Sequence, residues 1–306
     1  MIQHYRSLAD DPRIAAFARA IAQAVRPGDV VADIGCGLGT YAVLACRAGA
    51  SQVLAVEAGP IVEVAREVVR DNGCADKVRF LSGLSTELEP PMRARVVIFE
   101  DYRLALTTPP VLRVVDDLRA RWLEPGGVLL PARARQWLAL VEDPAGRAEL
   151  DRFADRDESI CGVSLRPTRK RAFAEPTPRR VSKEALLGAP TLLREVELAS
   201  APVAFQKSAA LTVVRDGSAH GLLVWLDLEL AGDWHSNAPG APSSAWSPLL
   251  FPLDPPLSLR AGEEVRCSLE AAPFGDEIVF RWSAELGHQR AASCSLDSLP
   301  LLSPSR

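Results

Sequence analysis

The stretch from Val30 to Glu57 has the residue types and spacing of a pocket for a cofactor that carries a ribose. An apolar run leads into a turn of pattern Asp-x-Gly-x-Gly-x-Gly that begins at Asp33, and a helical stretch and a second apolar run follow. The glycines of the turn are Gly35, Gly37 and Gly39. Glycines let the backbone approach a ligand where a Cβ atom would clash, and the start of the next helix offers free N–H groups. Glu57 stands where a carboxylate can accept hydrogen bonds from both hydroxyls of a ribose.

The spacing of this turn favours S-adenosylmethionine (SAM) over a dinucleotide. A dinucleotide fingerprint has the pattern G-x-G-x-x-G, and here Thr40 stands at the position of the third glycine. A carboxylate at Asp33 would repel a pyrophosphate, whereas it suits the sulfonium and the amino group of SAM. The turn resembles motif I of class I SAM-dependent methyltransferases. A turn with a purely structural role in another α/β protein is the alternative.

Length and composition indicate a globular protein with two domains, or one domain with a sizeable addition. The chain has 306 residues, 48% of them hydrophobic, and a net charge of −4, so it lacks the basic balance of a nucleic-acid-binding protein. The six cysteines form no C-x-x-C pair, which argues against a zinc site and against a disulfide framework. No metal is therefore expected. A polar N-terminus and no apolar run of about 18 residues predict a cytoplasmic protein without a membrane segment.

The first half of the chain alternates strand and helix patterns, which predicts a parallel sheet with right-handed crossovers. The expected strands are Val30–Ile34, Gln52–Glu57, Lys77–Leu81, Arg95–Phe99 and Val128–Leu130, and the expected helices are Thr40–Ala48, Pro60–Asp71 and Pro110–Trp122. Ligands bind at the carboxyl ends of the strands in such a sheet. Asp33, Glu57, Ser85 and Glu100 all fall at those ends.

The second half changes character, because helical periodicity nearly vanishes after about residue 160. Alternating and β-branched runs bounded by Pro and Gly predict antiparallel strands, at Ala209–Val214, Gly221–Leu230, Glu264–Leu269 and Ile278–Ala284. The predicted architecture is an α/β Rossmann-like SAM-binding domain over residues 1–131, followed by an antiparallel β-barrel-like domain over residues 132–290. The segment 291–306 is rich in Ser, Pro and Leu and is predicted to be a flexible tail.

A basic segment, Arg166–Arg180, lies between the two halves, with Lys183 just beyond it. A nucleic-acid patch would need interleaved aromatic residues, and Phe173 is the only aromatic residue in the segment. A solvated loop or a contact with a protein partner is therefore favoured, and no nucleic-acid partner is expected.

Several motifs resemble those of the protein arginine methyltransferases. The segment His4–Arg13 resembles the opening H-x-x-M-L-x-D-x-x-R helix of that family, with Ser7 in place of the methionine. The segment Gly83–Leu88 resembles the adenine-binding G-x-x-E-E-V of the family, with Thr86 in place of the first acid. Two segments of the second half resemble strands of the family's β domain, namely Ala219–Asp227 and Leu253–Val265. The resemblance covers about residues 4–286.

The resemblance implies roles for individual residues. Arg13 would pair with the carboxylate of SAM, because a guanidinium fork matches a carboxylate bidentately. The implied cofactor-binding residues are Arg13, Asp33, Gly35, Cys36, Gly37, Gly39, Glu57, Ala58, Ser85, Thr86 and Glu100. The catalytic candidates are Glu100, His4 and Trp246. A homodimer is also implied, in which an arm near residues 155–182 docks on the SAM domain of the partner.

The departures from the family lie in the acceptor site. The family clamps a guanidinium between two glutamates about nine residues apart; Glu100 matches the first, and the second position falls on Thr108-Pro109-Pro110, which contains no acid. The T-H-W loop of the family reads Ser244-Ala245-Trp246, so its histidine is replaced by Ala245. The acids that could complete the clamp are Asp101, Asp116 and Asp117.

Three hypotheses for the function follow. The first is a SAM-dependent methyltransferase that acts on a nitrogen or oxygen atom of a peptide, protein or small-molecule acceptor, which Glu100 orients or deprotonates. The second keeps arginine as the acceptor and requires another acid in the clamp. The third is a catalytically silent SAM-binding scaffold. The third is disfavoured because the residues expected to bind SAM are all present, namely Arg13, Asp33, Gly35, Gly37 and Glu57.

Overall fold

The computed structural model describes residues 11–100, 108–154, 168–242 and 246–297 of the chain. A five-stranded parallel sheet with flanking helices forms the first half, and two antiparallel sheets form the second half. The predicted fold, a Rossmann-like α/β domain followed by an antiparallel β domain, is confirmed. Within these four ranges, no helix is both long enough and apolar enough to span a membrane.

Four strands of the parallel half agree with the expected strands to within one residue, whereas β5 begins five residues before the expected Val128. The strands are β1 (Val30–Ile34), β2 (Gln52–Glu57), β3 (Val78–Ser82), β4 (Ala94–Phe99) and β5 (Leu123–Leu130). The helices are α1 (Asp11–Ala24), α2 (Thr40–Arg47), α3 (Val62–Asp71) and α4 (Pro109–Asp117), and a π-helical turn at Leu118–Trp122 continues α4. The expected helix from Pro110 to Trp122 is therefore two elements, and the expected helix from Pro60 begins only at Val62.

The order of the strands places a crevice above β1. The sheet runs β3-β2-β1-β4-β5, and every neighbouring pair is parallel. The order reverses at β1, whose neighbours are β2 on one side and β4 on the other. In open parallel sheets, ligands bind outside the carboxyl ends of the strands at this switch point. The carboxyl ends of β2, β1 and β4 are therefore adjacent, and they carry Glu57, Asp33 and Glu100.

The second half consists of a six-stranded sheet and a four-stranded sheet. The six-stranded sheet contains β6 (Arg133–Val141), β7 (Thr177–Pro178), β8 (Thr191–Glu197), β10 (Gly217–Leu230), β11 (Asp233–Ser236) and β12 (Leu249–Leu259). The four-stranded sheet contains β9 (Phe205–Thr212), β13 (Glu264–Phe274), β14 (Glu277–Leu286) and β15 (Gln289–Cys294). Two helices, α5 (Pro144–Ala154) and α6 (Arg169–Ala172), lie between β6 and β7 in the chain. Because β12 contacts β15 and β8 contacts β9, the two sheets close around a common core.

One apolar cluster joins the two halves of the molecule. It combines Trp122 and Leu118 of the π-helical turn with Ala134 of β6 and with Leu226 and Leu228 of β10. Trp122 and Leu118 are fully buried. Burial of a large apolar side chain contributes about 1.5–3 kcal/mol, so this contact holds the β domain against the parallel sheet next to the crevice.

One prediction for the second half needs correction. The chain does not leave the fold at residue 291, because β15 pairs in register with β14 and the Ala291 side chain is buried against the core. The Ser-rich composition concealed this alternation. The 298–306 part of the predicted tail lies outside the described residues.

Three basic residues of the segment are paired within the chain. Arg169 forms ion pairs with Asp151 and Asp254. Arg179 holds Asp143, with Nε to Oδ2 at 2.6 Å, and Lys170 pairs with Asp297 at 3.0 Å. The acids come from α5, the β6–α5 junction, β12 and the last described turn. The sequence pattern could not show these pairings. Residues 155–167 of the predicted arm lie outside the described residues.

Candidate functional site

A cavity of about 480 Å³ opens at the carboxyl ends of β1, β2 and β4. Its walls come from α1, the glycine turn after β1, the end of β2, the loop after β3 and the residue that follows β4. Of the residues predicted to bind the cofactor, nine line this cavity: Arg13, Asp33, Gly35, Cys36, Gly37, Glu57, Ala58, Ser85 and Glu100. A volume of this size suits a ligand as large as a nucleoside with an amino-acid side chain.

The glycine turn takes its shape from left-handed backbone at alternate residues. Gly35, Gly37 and Gly39 have φ values of 74°, 53° and 74°, a region that residues with a Cβ atom enter only at a cost. The Gly35 and Cys36 N–H groups both donate to the Val56 carbonyl at 2.9 Å. These bonds tie the turn to β2 and direct it across the end of the sheet.

Glu57 holds the turn from the other side. Its Oε2 accepts a hydrogen bond from the Gly37 N–H at 2.9 Å, and its Oε1 accepts one from the Gly59 N–H at 2.7 Å. A carboxylate has about four lone-pair sites, so each oxygen can accept a further donor from a ligand in the cavity. Glu57 is therefore both a structural anchor for the turn and a candidate acceptor for a ribose diol.

Asp33 is a buried acid with an unsatisfied oxygen. The residue is 2% exposed, and its Oδ2 has no hydrogen-bond partner among the residues that the structure describes. Burial raises the pKa of Asp33 from 3.8 to about 7, a hydrogen bond from the Ala42 N–H opposes this rise, and the charges of Glu100 and Glu57 add to it. A cation in the cavity would relieve both the burial cost and the repulsion.

Cys36 lies in the same wall but is not a nucleophile. Burial raises the pKa of its thiol, and the charges of Asp33 and Glu57 raise it further. The thiolate is the reactive form of cysteine, so Cys36 remains a protonated, unreactive lining group.

A cluster of three polar side chains stands at the β4 end of the cavity. The Arg13 guanidinium, from α1, forms an ion pair with Oε1 of Glu100. The Tyr41 hydroxyl, from α2, lies 2.9 Å from Oε2 of Glu100 and 3.4 Å from Nη1 of Arg13. Arg13 is 3% exposed, so Glu100 neutralises a cation that burial would otherwise penalise strongly.

Trp246 supports this cluster from the β domain. Its indole ring lies 5.5 Å from the guanidinium carbon of Arg13, a distance typical of a cation–π contact. The ring of His235 approaches it edge-on at 6.2 Å between centroids. Trp246 is not among the residues that line the cavity, so it contacts Arg13 instead of the ligand space.

The loop that carries Ser85 is held by side chains from the end of the α4 segment. Arg121 donates to the carbonyls of Ser85 at 2.8 Å and Leu88 at 2.7 Å. The indole N–H of Trp122 also donates to the Ser85 carbonyl, at 3.3 Å. Arg121 itself is fixed by Asp117, with Nε to Oδ1 at 2.5 Å and Nη2 to Oδ2 at 2.8 Å.

Several predicted site residues lie elsewhere. Gly39 does not line the cavity; a Cβ atom there would meet Val69 Cγ2 at 3.3 Å, so its role is close packing of α2 on α3. Thr86 is exposed and is not among the residues that line the cavity, although its neighbours Leu84 and Ser85 are. His4 and Asp101 lie outside the described residues, as does Ala245.

Of the candidate replacements for the missing acid, Asp116 and Asp117 are not among the residues that line the cavity. Asp117 is engaged by Arg121, and the Asp116 side chain is 72% exposed beside Arg119. The segment Thr108-Pro109-Pro110, which the resemblance places at the family's second glutamate, begins α4, where Thr108 caps the helix by accepting a hydrogen bond from the Val111 N–H at 3.4 Å. Pro109 follows it and has no N–H to donate.

Two features of the site were not predicted from the sequence, namely Tyr41 and the Asp117–Arg121 pair. Tyr41 belongs to the first turn of the helix after the glycine turn, which points toward the carboxyl ends of the strands; an aromatic hydroxyl at that position was the available signal. The Asp117–Arg121 pair has the spacing of an ion pair on one helix face. Its link to the Ser85 carbonyl joins residues 36 positions apart, which no local pattern could reveal.

Comparisons with known proteins agree with this geometry. The arginine methyltransferase oligomerization subdomain matches residues 132–283, and the ribosomal protein L11 methyltransferase (PrmA) family matches residues 16–100. The arginine N(omega)-methyltransferase of Streptomyces achromogenes subsp. streptozoticus is 31% identical over 280 residues, which cover 89% of this chain and 76% of that protein. Protein arginine N-methyltransferase 1 of Schizosaccharomyces pombe is 27% identical over 280 residues, covering 88% of this chain and 82% of that protein.

Other relatives are longer. "Probable protein arginine N-methyltransferase 6" of Arabidopsis thaliana is 30% identical over 250 residues; the match covers 77% of this chain but 56% of that protein. The chain therefore spans little more than half the length of some relatives.

Among solved structures, the PRMT1 enzyme–prozyme heterotetramer of Trypanosoma brucei with AdoHcy superimposes with a TM-score of 0.85 at 22% identity, over 95% of this chain and 97% of that chain. Protein arginine methyltransferase 10 of Arabidopsis thaliana gives 0.81 at 22% identity, over 96% and 98% of the respective chains. These structures agree with the fold.

The burial of Asp33 predicts a pH-dependent cost in stability. Its pKa rises from 3.8 to about 7 on folding, so the unfolded carboxyl ionises first and the free energy of unfolding falls as the pH rises from about 4 to about 7. At about 1.4 kcal/mol per pKa unit, the cost above pH 7 is about 4 kcal/mol. Asp33→Asn should therefore raise the free energy of unfolding at pH 8 by an amount of this order, and the gain should vanish near pH 4.

Urea unfolding of the two proteins at several pH values measures this difference. Asp76→Asn, which changes an exposed carboxylate, is the control and should alter stability by less than about 0.5 kcal/mol. An Asp33→Asn protein that is no more stable than the parent at pH 8 would show that the acid carries no electrostatic cost.

Proposed function

Because the chain belongs to the arginine methyltransferase family, we propose that it is a SAM-dependent methyltransferase that acts on a nitrogen or oxygen atom of an acceptor. The observation that carries the proposal is the set of acids at the ends of three adjacent strands, around a cavity of about 480 Å³. One of these acids, Asp33, presents a buried oxygen with no partner among the described residues. Such a site suits a ligand with a ribose and a positive charge.

The lining residues fit SAM group by group. Glu57 accepts hydrogen bonds from the ribose hydroxyls, and Asp33 offers its unpartnered oxygen to the cationic end of the ligand. Arg13 binds the carboxylate of the methionine part, and the loop that carries Ser85 borders the adenine. When bound, SAM supplies an electrophilic methyl group for in-line displacement. The chain contributes mainly by positioning, since the acceptor atom must be held about 3 Å from the methyl carbon with water excluded.

Among the described residues, Glu100 is the carboxylate that lines the β4 end of the cavity, where the acceptor would enter. It orients the acceptor or takes its proton. The resemblance implies that Thr108 and Pro109 stand in place of the second acid, so a guanidinium in this pocket would be neutralised on one side only. A diverged acceptor, in a peptide, a protein or a small molecule, therefore fits better than the arginine side chains of ordinary protein substrates. Arginine as the acceptor is the alternative, since relatives are named for that activity.

We also propose that the protein is a cytoplasmic homodimer. The match to an oligomerization subdomain over residues 132–283 supports self-association, and the solved relative from Trypanosoma brucei is described as a heterotetramer. The cysteines in the described part of the chain are free thiols, as is usual in a reducing compartment.

Replacing Glu57 tests the cofactor assignment. Glu57→Ala removes the charged acceptor for two ribose hydroxyls and releases the Gly37 and Gly59 N–H groups. Charge-assisted hydrogen bonds contribute about 1.5–3 kcal/mol each, so SAM affinity should fall by at least about 3 kcal/mol, or more than roughly a hundredfold. Calorimetric titration with SAM measures this.

Glu63→Ala, on the exposed face of α3, is the control and should bind SAM normally. Equal SAM affinity in all three proteins would contradict the assignment of Glu57 to the ribose. A parent protein that does not bind SAM would contradict the proposed methyltransferase function.

The single acid at the acceptor end predicts poor activity on glycine–arginine peptides. A buried guanidinium with one carboxylate loses a bidentate, charge-assisted contact worth about 1.5–3 kcal/mol, so turnover on these peptides should be low. Glu100→Gln should impair turnover on the true acceptor, whereas Glu63→Gln should not. Mass spectrometry of cell extracts incubated with methyl-labelled SAM identifies that acceptor and its modified atom. Rapid formation of dimethylarginine on the peptides would mean that another acid completes the clamp.

We expect the protein to self-associate in solution through the arm near residues 155–182. Residues 155–167 are flanked by α5 and α6, whose Asp151 and Arg169 side chains approach to 3.5 Å. Replacing residues 155–167 by a short Gly-Ser linker should therefore preserve the fold while removing the arm. Sedimentation at micromolar concentration should give a dimer for the parent protein and a monomer for the variant, with similar melting temperatures. A monomeric parent protein, with or without SAM, would refute the dimer.

A further inference from the structure

Tyr41 is a buried hydroxyl group beside the acid of the acceptor site. We propose that Tyr41 is a positioning residue: its hydroxyl holds Glu100 in a fixed orientation and supplies part of the restraint that a second acid would otherwise give. The assignment rests on the proposed methyl transfer, because it concerns how the acceptor end of that site is arranged. It adds a residue that the motifs of the sequence did not single out.

The hydroxyl lies among groups from three different elements. Tyr41 is in the first turn of α2 and is 8% exposed. Its oxygen is 2.9 Å from Oε2 of Glu100, which follows β4, and 3.4 Å from Nη1 of Arg13 in α1. Its ring stacks on Phe17 of α1, with 4.8 Å between centroids and 23° between planes. The ring is therefore anchored in the apolar core while its polar end reaches the cavity.

The direction of the hydrogen bonds follows from the partners. A guanidinium has donors and no acceptor, so the phenol oxygen can only accept from Arg13. The phenol hydrogen is then available to Glu100. Burial and the charge of Glu100 raise the pKa of Tyr41, so the phenol keeps its proton at physiological pH and stays a donor.

The two oxygens of Glu100 are thus held separately. Arg13 pairs with Oε1 and Tyr41 donates to Oε2, and these contacts come from two helices. A carboxylate restrained at both oxygens cannot rotate about its terminal torsion without breaking one contact. This restraint fixes where the remaining lone pairs of Glu100 point, and therefore where an acceptor that uses them is held.

The test is the Tyr41→Phe variant, which removes the hydroxyl and keeps the ring that stacks on Phe17. The charged groups that face Glu100 in the described structure include Arg13 and Asp33, besides the titratable Tyr41. The loss of one donor to the carboxylate should move the titration midpoint of Glu100 upward by about one pH unit. Carbon NMR of protein labelled at the glutamate carboxyl carbons measures it, and Glu100→Gln assigns the resonance.

Activity and binding give independent readouts. SAM affinity of Tyr41→Phe should fall by much less than kcat, because the contact of the hydroxyl with Arg13 is long, at 3.4 Å, and Arg13 keeps its ion pair with Glu100; kcat should fall about ten- to a hundredfold, and the acid limb of the pH profile should move upward. Ser268→Ala is the control: it removes a hydroxyl from the Ser268–Ser283 pair in the β domain and should change neither the Glu100 titration nor kcat.

The outcomes separate this inference from the proposed function. An unchanged Glu100 titration in Tyr41→Phe would overturn the role of Tyr41, even if the protein methylates its acceptor. No SAM binding by the parent protein would instead overturn the proposed function. If Tyr41→Phe does not fold, 3-fluorotyrosine labels the three tyrosines of the chain, and Tyr5→Phe and Tyr102→Phe assign their fluorine signals. Glu100→Gln should then shift the Tyr41 signal, and no shift would refute the contact.

Discussion

The site depends on mutual repulsion among acids at the ends of adjacent parallel strands. Asp33, Glu57 and Glu100 border one cavity, and the pKa of Asp33 rises to about 7 through burial together with the charges of the other two. Arg13 is the buried cation that offsets part of this repulsion. Each of the other two carboxylates is stabilised by donors of its own. Backbone N–H groups bind Glu57, and a guanidinium and a phenol bind Glu100. The burial of Asp33 beside Glu57 and Glu100 carries an electrostatic cost that a cationic ligand would relieve.

Much of this arrangement could be predicted from the sequence because it is local. The turn from Asp33 to Gly39 has positive φ at alternate residues, and glycine is the residue that tolerates this conformation. Placement of Asp33, Glu57 and Glu100 at one edge follows from the parallel sheet alone. The contacts of Tyr41 and Arg121 could not be predicted, because they join residues 59 and 36 positions apart. Gly39 was misread for a similar reason, since its neighbour Val69 comes from a different helix.

The two ends of the cavity differ in the polar groups that they offer to a ligand. At the cofactor end, the acid at Glu57 is satisfied by two backbone donors, and the turn around it is rigid. At the acceptor end, the segment that the resemblance places at the family's second acid begins α4, with Thr108 bonded to its own helix. The chemistry of methyl transfer requires little from the protein beyond position. A fold of this kind can therefore keep its cofactor pocket while its acceptor changes.

Arg121 joins these two ends mechanically. It is bound to Asp117 of α4, the helix that begins at Thr108, and it donates to the Ser85 carbonyl in the loop beside the cavity. A displacement of α4 is therefore transmitted to the loop, and a displacement of the loop to α4. Thermodynamic linkage is reciprocal, so whatever free energy an acceptor gains by moving this helix changes the affinity for the nucleoside by the same amount. An acceptor that shifts this helix would therefore also change how the Ser85 loop meets the nucleoside.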